Sequence, residues 1–327
     1  MRYKRLGKTG LKVSEICMGT MTFAMKSGWR NYALGIEEAT PVFKKALDLG
    51  INFFDTADVY SLGSCEEVTG KLLNQMANRD EIVVATKVCL PMNKQPNMSG
   101  LSKKHIFSAI DSSLKRLNMD YIDLYIIHRW DSETPIEETM ESLNELVRIG
   151  KVRYIGASSM YCWQFSKAQS IAEKYNWSKF VSMQNHYNLI YREEEREMIP
   201  MCIDSGVAIT PWSPLARGFL AGNRYKEGGG TTQRSKNDDI ANAMYYSKVD
   251  FKILDQVISI AKKLNILPAQ VALAWILQNK AITAPVIGIS NRTQLEDLVN
   301  SLNVTLSTIE IKSLEKFYQP KHIAGHN

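Results

Sequence analysis

The 327-residue sequence has no window approaching eighteen uninterrupted apolar residues, which excludes a simple membrane-spanning helix. Its basic start, MRYKRLGKTG, has no apolar segment behind it and so does not read as a secretory leader. Cysteine is scarce. Cys17, Cys65, Cys89, Cys162 and Cys202 are odd in number and scattered, without a C-x-x-C pair that would suggest zinc or a redox motif. We expect reduced, mostly buried thiols, no metal, no membrane and a cytoplasmic protein. The formal net charge is +6, yet there is no basic run and no basic helix face interleaved with aromatics. That pattern argues against nucleic acid and suits an anionic small ligand. No internal repeat of fixed period is present.

What the chain does have is the composition of a globular domain, 45% apolar and 23% charged, enough to bury a full core. Strand-like runs occur at Ile16–Met21, Asn52–Thr56, Ile82–Val88, Ile122–His128, Arg153–Ala157, Phe180–Gln184, Val207–Thr210 and Ala284–Ile287. Between them lie amphipathic stretches: Glu38–Leu49, Glu66–Met76, Lys103–Leu117, Pro135–Ile149, Trp163–Tyr175 and Glu193–Ser205. Alternation of this kind builds parallel β/α units, and eight strands is the barrel number. Before the first strand, two short β segments flank Lys8-Thr9-Gly10 as a hairpin able to plug the barrel floor. The stretch Ala216–Val249 is long, polar and Gly-rich, and its place after the seventh strand suits a lid over a bound ligand. The expectation is one domain over residues 1–327: an α/β (β/α)₈ TIM barrel with an N-terminal β-hairpin and a long loop after strand 7.

Four polar residues stand at or just past the ends of successive strands: Asp55, Tyr60, Lys87 and His128. Each alone has an ordinary explanation, as a cap, a solvated strand end or a satisfied core histidine. Together they form an acid/base set on one rim of a barrel. Lys87 offers a cation to favour the phenolate of Tyr60, Asp55 holds Lys87 charged and aimed, and neutral His128 orients a substrate oxygen. Such a set reduces a carbonyl.

The stretch NFFDTADVYSLGSCEEVTG resembles the signature of the aldo-keto reductase superfamily. YIDLYIIHRWD, KVRYIGASSM, MQNHYNL, TPWSPLARGFLAG and PVIGISNRTQL follow in the family's order. The HRWD form is similar to fungal and bacterial members named aryl-alcohol dehydrogenases. The resemblance implies that Asp55, Tyr60, Lys87 and His128 are the catalytic tetrad and that the cofactor is NADPH, bound without a G-x-G-x-x-G fingerprint. By the same resemblance Gly19, Thr20 and Met21 line the cofactor, Ser158 and Gln184 hold the nicotinamide carboxamide, and Trp212 stacks on its ring. Ser213 and Leu215 follow along the pyrophosphate. Gly288, Ser290 and Arg292 open a helix that takes the adenosine 2′-phosphate, and Gln294 and Asp297 approach the adenosine. The sequence departs from the family pattern at Ser159, where many members carry Asn, and at Leu298, where an Asn often contacts adenine. Arg292 lies one residue later than in some relatives.

The substrate implied is a small aldehyde or ketone, with Phe23, Trp29 and Trp130 giving the pocket an aromatic lining. Two other readings stand beside this one. The first is a cofactor-binding regulatory subunit of the potassium-channel β-subunit type with slow residual reductase activity. The near absence of an N-terminal extension before the hairpin speaks against it. The second is a barrel enzyme using Lys87 as a Schiff-base amine, against which stands the Asp55 partner.

Overall fold

The computed structural model of the protein describes residues 1–25, 33–224, 230 and 238–326. Two strands, β1 (Tyr3–Arg5) and β2 (Lys12–Ser14), form the N-terminal hairpin. Eight more run parallel: β3 (Cys17–Gly19), β4 (Phe53–Asp55), β5 (Val83–Val88), β6 (Ile122–Ile127), β7 (Val152–Ser158), β8 (Phe180–Gln184), β9 (Ala208–Ile209) and β10 (Val286–Gly288). They pair in the order β10-β3-β4-β5-β6-β7-β8-β9. Parallel bridges Ile209–Ile282 and Trp212–Val286 join the two ends, so the sheet closes into the expected barrel.

Around it lie the helices α1 (Ile36–Asp48), α2 (Ser64–Met76), α3 (Lys103–Leu117), α4 (Ile136–Arg148), α5 (Cys162–Lys174), α6 (Met198–Ser205), α7 (Asp239–Met244), α8 (Lys248–Leu264), α9 (Pro268–Gln278), α10 (Arg292–Asn300) and α11 (Thr308–Glu315). The predicted segments hold with two changes. The helix expected over Glu193–Ser205 is two pieces, a short turn at Glu193–Glu195 and then α6. The stretch Ala216–Val249 carries structure of its own, a turn over Ala216–Ala221 and then α7. The rest of that predicted lid, residues 225–229 and 231–237, lies outside the described residues, as does Trp29.

Period-two alternation sorts the strand residues. On β5, Val83 and Ala85 face the lumen and Val84 and Val88 face the helices; on β6, Leu124 and Ile126 face in and Tyr125 and Ile127 face out. Leu6 and Val13 of the hairpin belong to the same lumen cluster as Phe53, Leu124, Ala208 and Ala284, and both are fully buried. The hairpin therefore plugs the floor with apolar side chains, as its sequence suggested. Water is kept from the lumen at that end, and the next lumen layer up is free to be polar.

The helix layer is tight where α2 crosses α3. A Cβ added at Gly70 would sit 2.2 Å from the carbonyl oxygen of Leu117 and 2.5 Å from its Cα. Alanine in a helix is ordinarily worth about 1 kcal/mol over glycine. Here overpacking against rigid backbone, typically ~1–3 kcal/mol, outweighs that gain. Gly70→Ala should lower the urea midpoint, with a net cost of about 1–2 kcal/mol; an unchanged or higher midpoint would mean that the helices are free to separate.

Candidate active site

The same alternation puts Gly19, Asp55, Lys87, His128, Ser158 and Gln184 in one lumen layer at the C-terminal ends of successive strands. Pairing fixes their heights: Gly19 lies opposite Asp55, Asp55 opposite Ala85, and Ser158 opposite Gln184. Lys87 is fully buried, and its Nζ donates to Asp55 Oδ1 at 2.5 Å, to the carbonyl oxygen of Thr56 at 2.7 Å and to Tyr60 Oη at 3.3 Å. The other oxygen of Asp55 accepts from Gln184 Nε2 at 2.8 Å, across the barrel from β8. Tyr60 sits at the start of a turn, Tyr60–Gly63, in which Ser61, Leu62 and Gly63 all have left-handed backbone. The turn brings the Tyr60 ring edge-on to His128, centroids 5.7 Å apart. All four residues of the predicted acid/base set meet at one point.

Electrostatics sets their protonation. Burial pulls the Lys87 ammonium down, but Asp55 and Tyr60 together outweigh it and its pKa stands above the ordinary value. Burial raises the Tyr60 phenol above 10, and Lys87 opposes that shift without reversing it. Here the structure corrects the sequence argument: the cation restrains the upward shift and leaves the free protein with a protonated phenol. Burial, then Lys87 and Arg129, push His128 well below 6.5, so the imidazole is neutral. Its Nδ1 is buried without a partner among the described residues. That rules out the reading of His128 as a satisfied core histidine, and the burial of Lys87 rules out a solvated strand end.

Around this centre the other predicted residues fall into three groups. Ser158 Oγ donates to the backbone oxygen of Gln184 at 2.7 Å, and the amide oxygen of Gln184 accepts nothing among the described residues. Trp212 donates from Nε1 to Ser159 Oγ at 2.9 Å, so the serine at 159 anchors the indole. The ring of His186 lies flat on that indole, centroids 4.3 Å apart and planes 11° from parallel. Gly19 and Thr20 are buried, Thr20 N and Oγ1 both donating to the Asp55 carbonyl, while Met21, Ser213 and Leu215 are half-buried. Gly288, Ser290, Arg292 and Gln294 are exposed at the start of α10, where Asn291 caps the helix by accepting from Gln294 N at 2.9 Å. Asp297 is half-buried one turn on, and Leu298 is buried in the core, where it offers no polar contact. Of the aromatic residues expected to line the pocket, Phe23 is fully buried against Phe43 and serves the core, whereas Trp130 remains half-buried at the rim.

The sequence reading assigned no role to Thr56, Asn185, His186 or the C-terminal stretch. His186 was findable, since it follows Gln184 by two and so continues its face. The C-terminal stretch was not: Gly325 lies against the Trp212 ring, Ala324 N donates to Tyr191 Oη at 3.0 Å, and His326 Nε2 lies 3.2 Å from Glu194. Arg224 is the other surprise. It is buried, its Nη2 donates to the Arg217 carbonyl, and its Nε and Nη1 have no partner among the described residues, while its neighbour Arg217 is neutralised by Asp238 at 2.8 Å. Buried guanidinium nitrogens left without such partners suit an anionic group.

The sequence profile described as the aldo/keto reductase family matches residues 15–319. The chain belongs to the aldo/keto reductase family. It is 42% identical to versiconal hemiacetal acetate reductase of Aspergillus parasiticus over 344 residues, covering 99% of this chain and 98% of that one. It is 43% identical to an aldo-keto reductase of Fusarium vanettenii over 351 residues, covering 99% and 93%. A Schizosaccharomyces pombe protein whose name provisionally makes it an aryl-alcohol dehydrogenase is 42% identical over 346 residues, covering 99% and 97%. As a member of this family the chain is an oxidoreductase, and its substrate is a small carbonyl or alcohol compound.

Behind the reductase's barrel wall, Asp58 is a buried carboxyl whose Oδ1 accepts from Val59 N at 2.6 Å and whose Oδ2 has no partner among the described residues. Burial and the nearby Glu66 push its pKa up to about 8. Below about pH 4 the folded and unfolded chains both hold this proton; between there and pH 8 only the folded chain does. Stability therefore falls as pH rises through that window. Asp58→Asn removes the dependence, and its urea midpoint relative to the unsubstituted protein should rise between pH 5 and pH 8, by roughly 2–4 kcal/mol in stability. Parallel pH curves for the two proteins would show that Asp58 ionises normally.

Proposed function

We propose that this aldo/keto reductase carries out NADPH-dependent reduction of an aldehyde or ketone, or the reverse oxidation of an alcohol, with Tyr60 as the proton donor. The observation that carries the reading is the buried Lys87 Nζ bridging Asp55 and the Tyr60 hydroxyl, with neutral His128 edge-on to the same ring. Tyr60 holds its proton at neutral pH and gives it to the carbonyl oxygen as negative charge develops there. Lys87, kept cationic by Asp55, stabilises the tyrosinate left behind. We assign the His128 ring proton to Nε2, because a buried N–H at unpartnered Nδ1 is costlier than a buried lone pair. From Nε2 it donates to the carbonyl oxygen and sets its orientation.

The residues present fit a nicotinamide cofactor, which when bound supplies the hydride. Ser158 and Gln184 would hold the carboxamide, Trp212 would face the ring, and Gly19, Thr20 and Met21 would line the pocket. Ser213 and Leu215 lead from Trp212 toward Arg224, whose unsatisfied nitrogens suit the phosphates. Gly288, Ser290 and Arg292 would surround the 2′-phosphate at the start of α10, where Arg292 is a cation unpaired among the described residues and Ser290, now bonded to Gln294, would turn to the phosphate, with Gln294 and Asp297 beside the adenosine. The relatives' names favour an enzyme over the channel-subunit alternative. Five free thiols accord with a cytoplasmic place of action.

Tyr60→Phe keeps the ring and removes the proton. It should lower kcat/KM for aldehyde reduction by well over a hundred-fold while NADPH affinity, followed by fluorescence quenching, changes little. A loss of about ten-fold or less, on the order of 1.4 kcal/mol, would take the donor role away from Tyr60. For the cofactor, Arg292→Ala should raise the KM for NADPH by roughly ten-fold or more with little effect on NADH, as expected for a lost charged hydrogen bond of about 1.5–3 kcal/mol. Equal effects on both cofactors, or none, would move the 2′-phosphate to another cation, with Arg224 next in line.

A further inference from the structure

One cation beside the catalytic centre lacks a counter-ion among the described residues. Arg129, directly after His128, donates from Nη1 to its neighbour's carbonyl oxygen at 2.6 Å and forms no ion pair among the described residues. It is only half-buried, and its remaining nitrogens are not among the sealed, unpartnered atoms that mark Arg224, so they remain reachable from outside. The groups that attract it are the Tyr60 phenol and the Cys89 thiol, neither of which is ionised at neutral pH. Burial nonetheless lowers its pKa, the mark of a cation partly stripped of water without a counter-ion. Among the described residues most half-buried arginines are paired, Arg79 with Asp123, Arg116 with Glu66 and Arg192 with Glu195, and Arg129 is an exception.

The cofactor phosphates are not its counter-ion. In the closed order of eight strands, β6 stands diametrically opposite β10, so Arg129 lies across the mouth from the start of α10 and Arg292. What lies on its own side is aromatic. Trp130 is half-buried beside it, and its ring is 6.0 Å from that of Trp163, which follows β7 and is 61% exposed. A cation beside the Tyr60–His128 centre and a pair of indoles at the rim match a molecule with an acidic group and a flat ring.

We infer that Arg129 is a specificity-determining residue that binds the carboxylate of an aromatic carbonyl substrate, with Trp130 and Trp163 against its ring. The inference deepens the reductase reading and rests on it for the carbonyl, but the carboxylate site can be tested without turnover. Guanidinium and carboxylate pair through two parallel N–H···O bonds, whereas the matching amide or ester offers no charge.

The first measurement is calorimetric binding of benzoate and of benzamide to the protein saturated with NADP⁺. Benzoate should bind at least ten-fold tighter. In Arg129→Gln, which can still donate to the His128 carbonyl, the preference should vanish, and in Arg129→Lys, which keeps the charge without the fork, part of it should return. Equal binding of the two ligands, no benzoate binding up to about 10 mM, or a preference that survives in Arg129→Gln would each overturn the inference. The second measurement compares kcat/KM for 4-carboxybenzaldehyde with that for its methyl ester. A ratio of ten or more that collapses toward one in Arg129→Gln supports the carboxylate site, and a ratio near one in the unsubstituted protein refutes it. Should neither aldehyde be reduced while benzoate still binds through Arg129, the reductase reading fails and the carboxylate site stands.

Discussion

A lysine ammonium with no exposure to water is tolerable inside the barrel only because Asp55, the carbonyl of Thr56 and Tyr60 all reach it. Removing such an ion from water costs several kcal/mol, recovered only when geometry and hydrogen bonding are good. That condition reaches far into the fold. Asp55 must end β4 beside β5, and its second oxygen must find Gln184 on β8, so the pair depends on a closed barrel and on correct register in strands distant in the chain. Disturbing either ion would leave the other buried and alone.

The barrel meets the condition by separating polarity along its axis. Below the ion pair the lumen is apolar, filled by Phe53, Leu124, Ile126 and Ala284 and stoppered by Leu6 and Val13 of the hairpin. Above it, the turn carrying Tyr60 departs from helical and extended backbone alike, with three consecutive left-handed residues. Only at Gly63 is that conformation cheap, and there a side chain would also strike Arg116, the partner of Glu66. Ser61, held in the same strained conformation, is buried directly after Tyr60, whereas Leu62 is exposed.

The rim itself divides in two. On the β9 and β10 side stand Arg224 and Arg292, suited to phosphate; on the β6 and β7 side stand Arg129, Trp130 and Trp163, suited to an acidic aromatic compound. His128 and Tyr60 lie between. Cations thus stand at both ends of the mouth, where anionic groups of two different ligands can be received.

The period-two pattern of each apolar run, and the polar residue at which it stops, were legible without coordinates, because a strand inside a barrel must hide its side chains and its end must not. That is why Asp55, Lys87 and His128 could be found by position, and why the hairpin and all eight strands fell within a few residues of their places. The continuous helix expected over Glu193–Ser205 failed because short-range periodicity does not reveal a local break in the backbone, which here leaves helical geometry at Glu197 between the turn and α6. Tertiary structure alone decided that Gln184 binds Asp55 from 129 residues away, that Trp212 rests on Ser159 and His186, and that Arg224 is buried with its Nε and Nη1 unpartnered among the described residues while Arg129 remains open. Local sequence sets which face a residue takes. What that residue meets across the barrel depends on how the chain closes, and burial, which sets charge and pKa, comes only with closure.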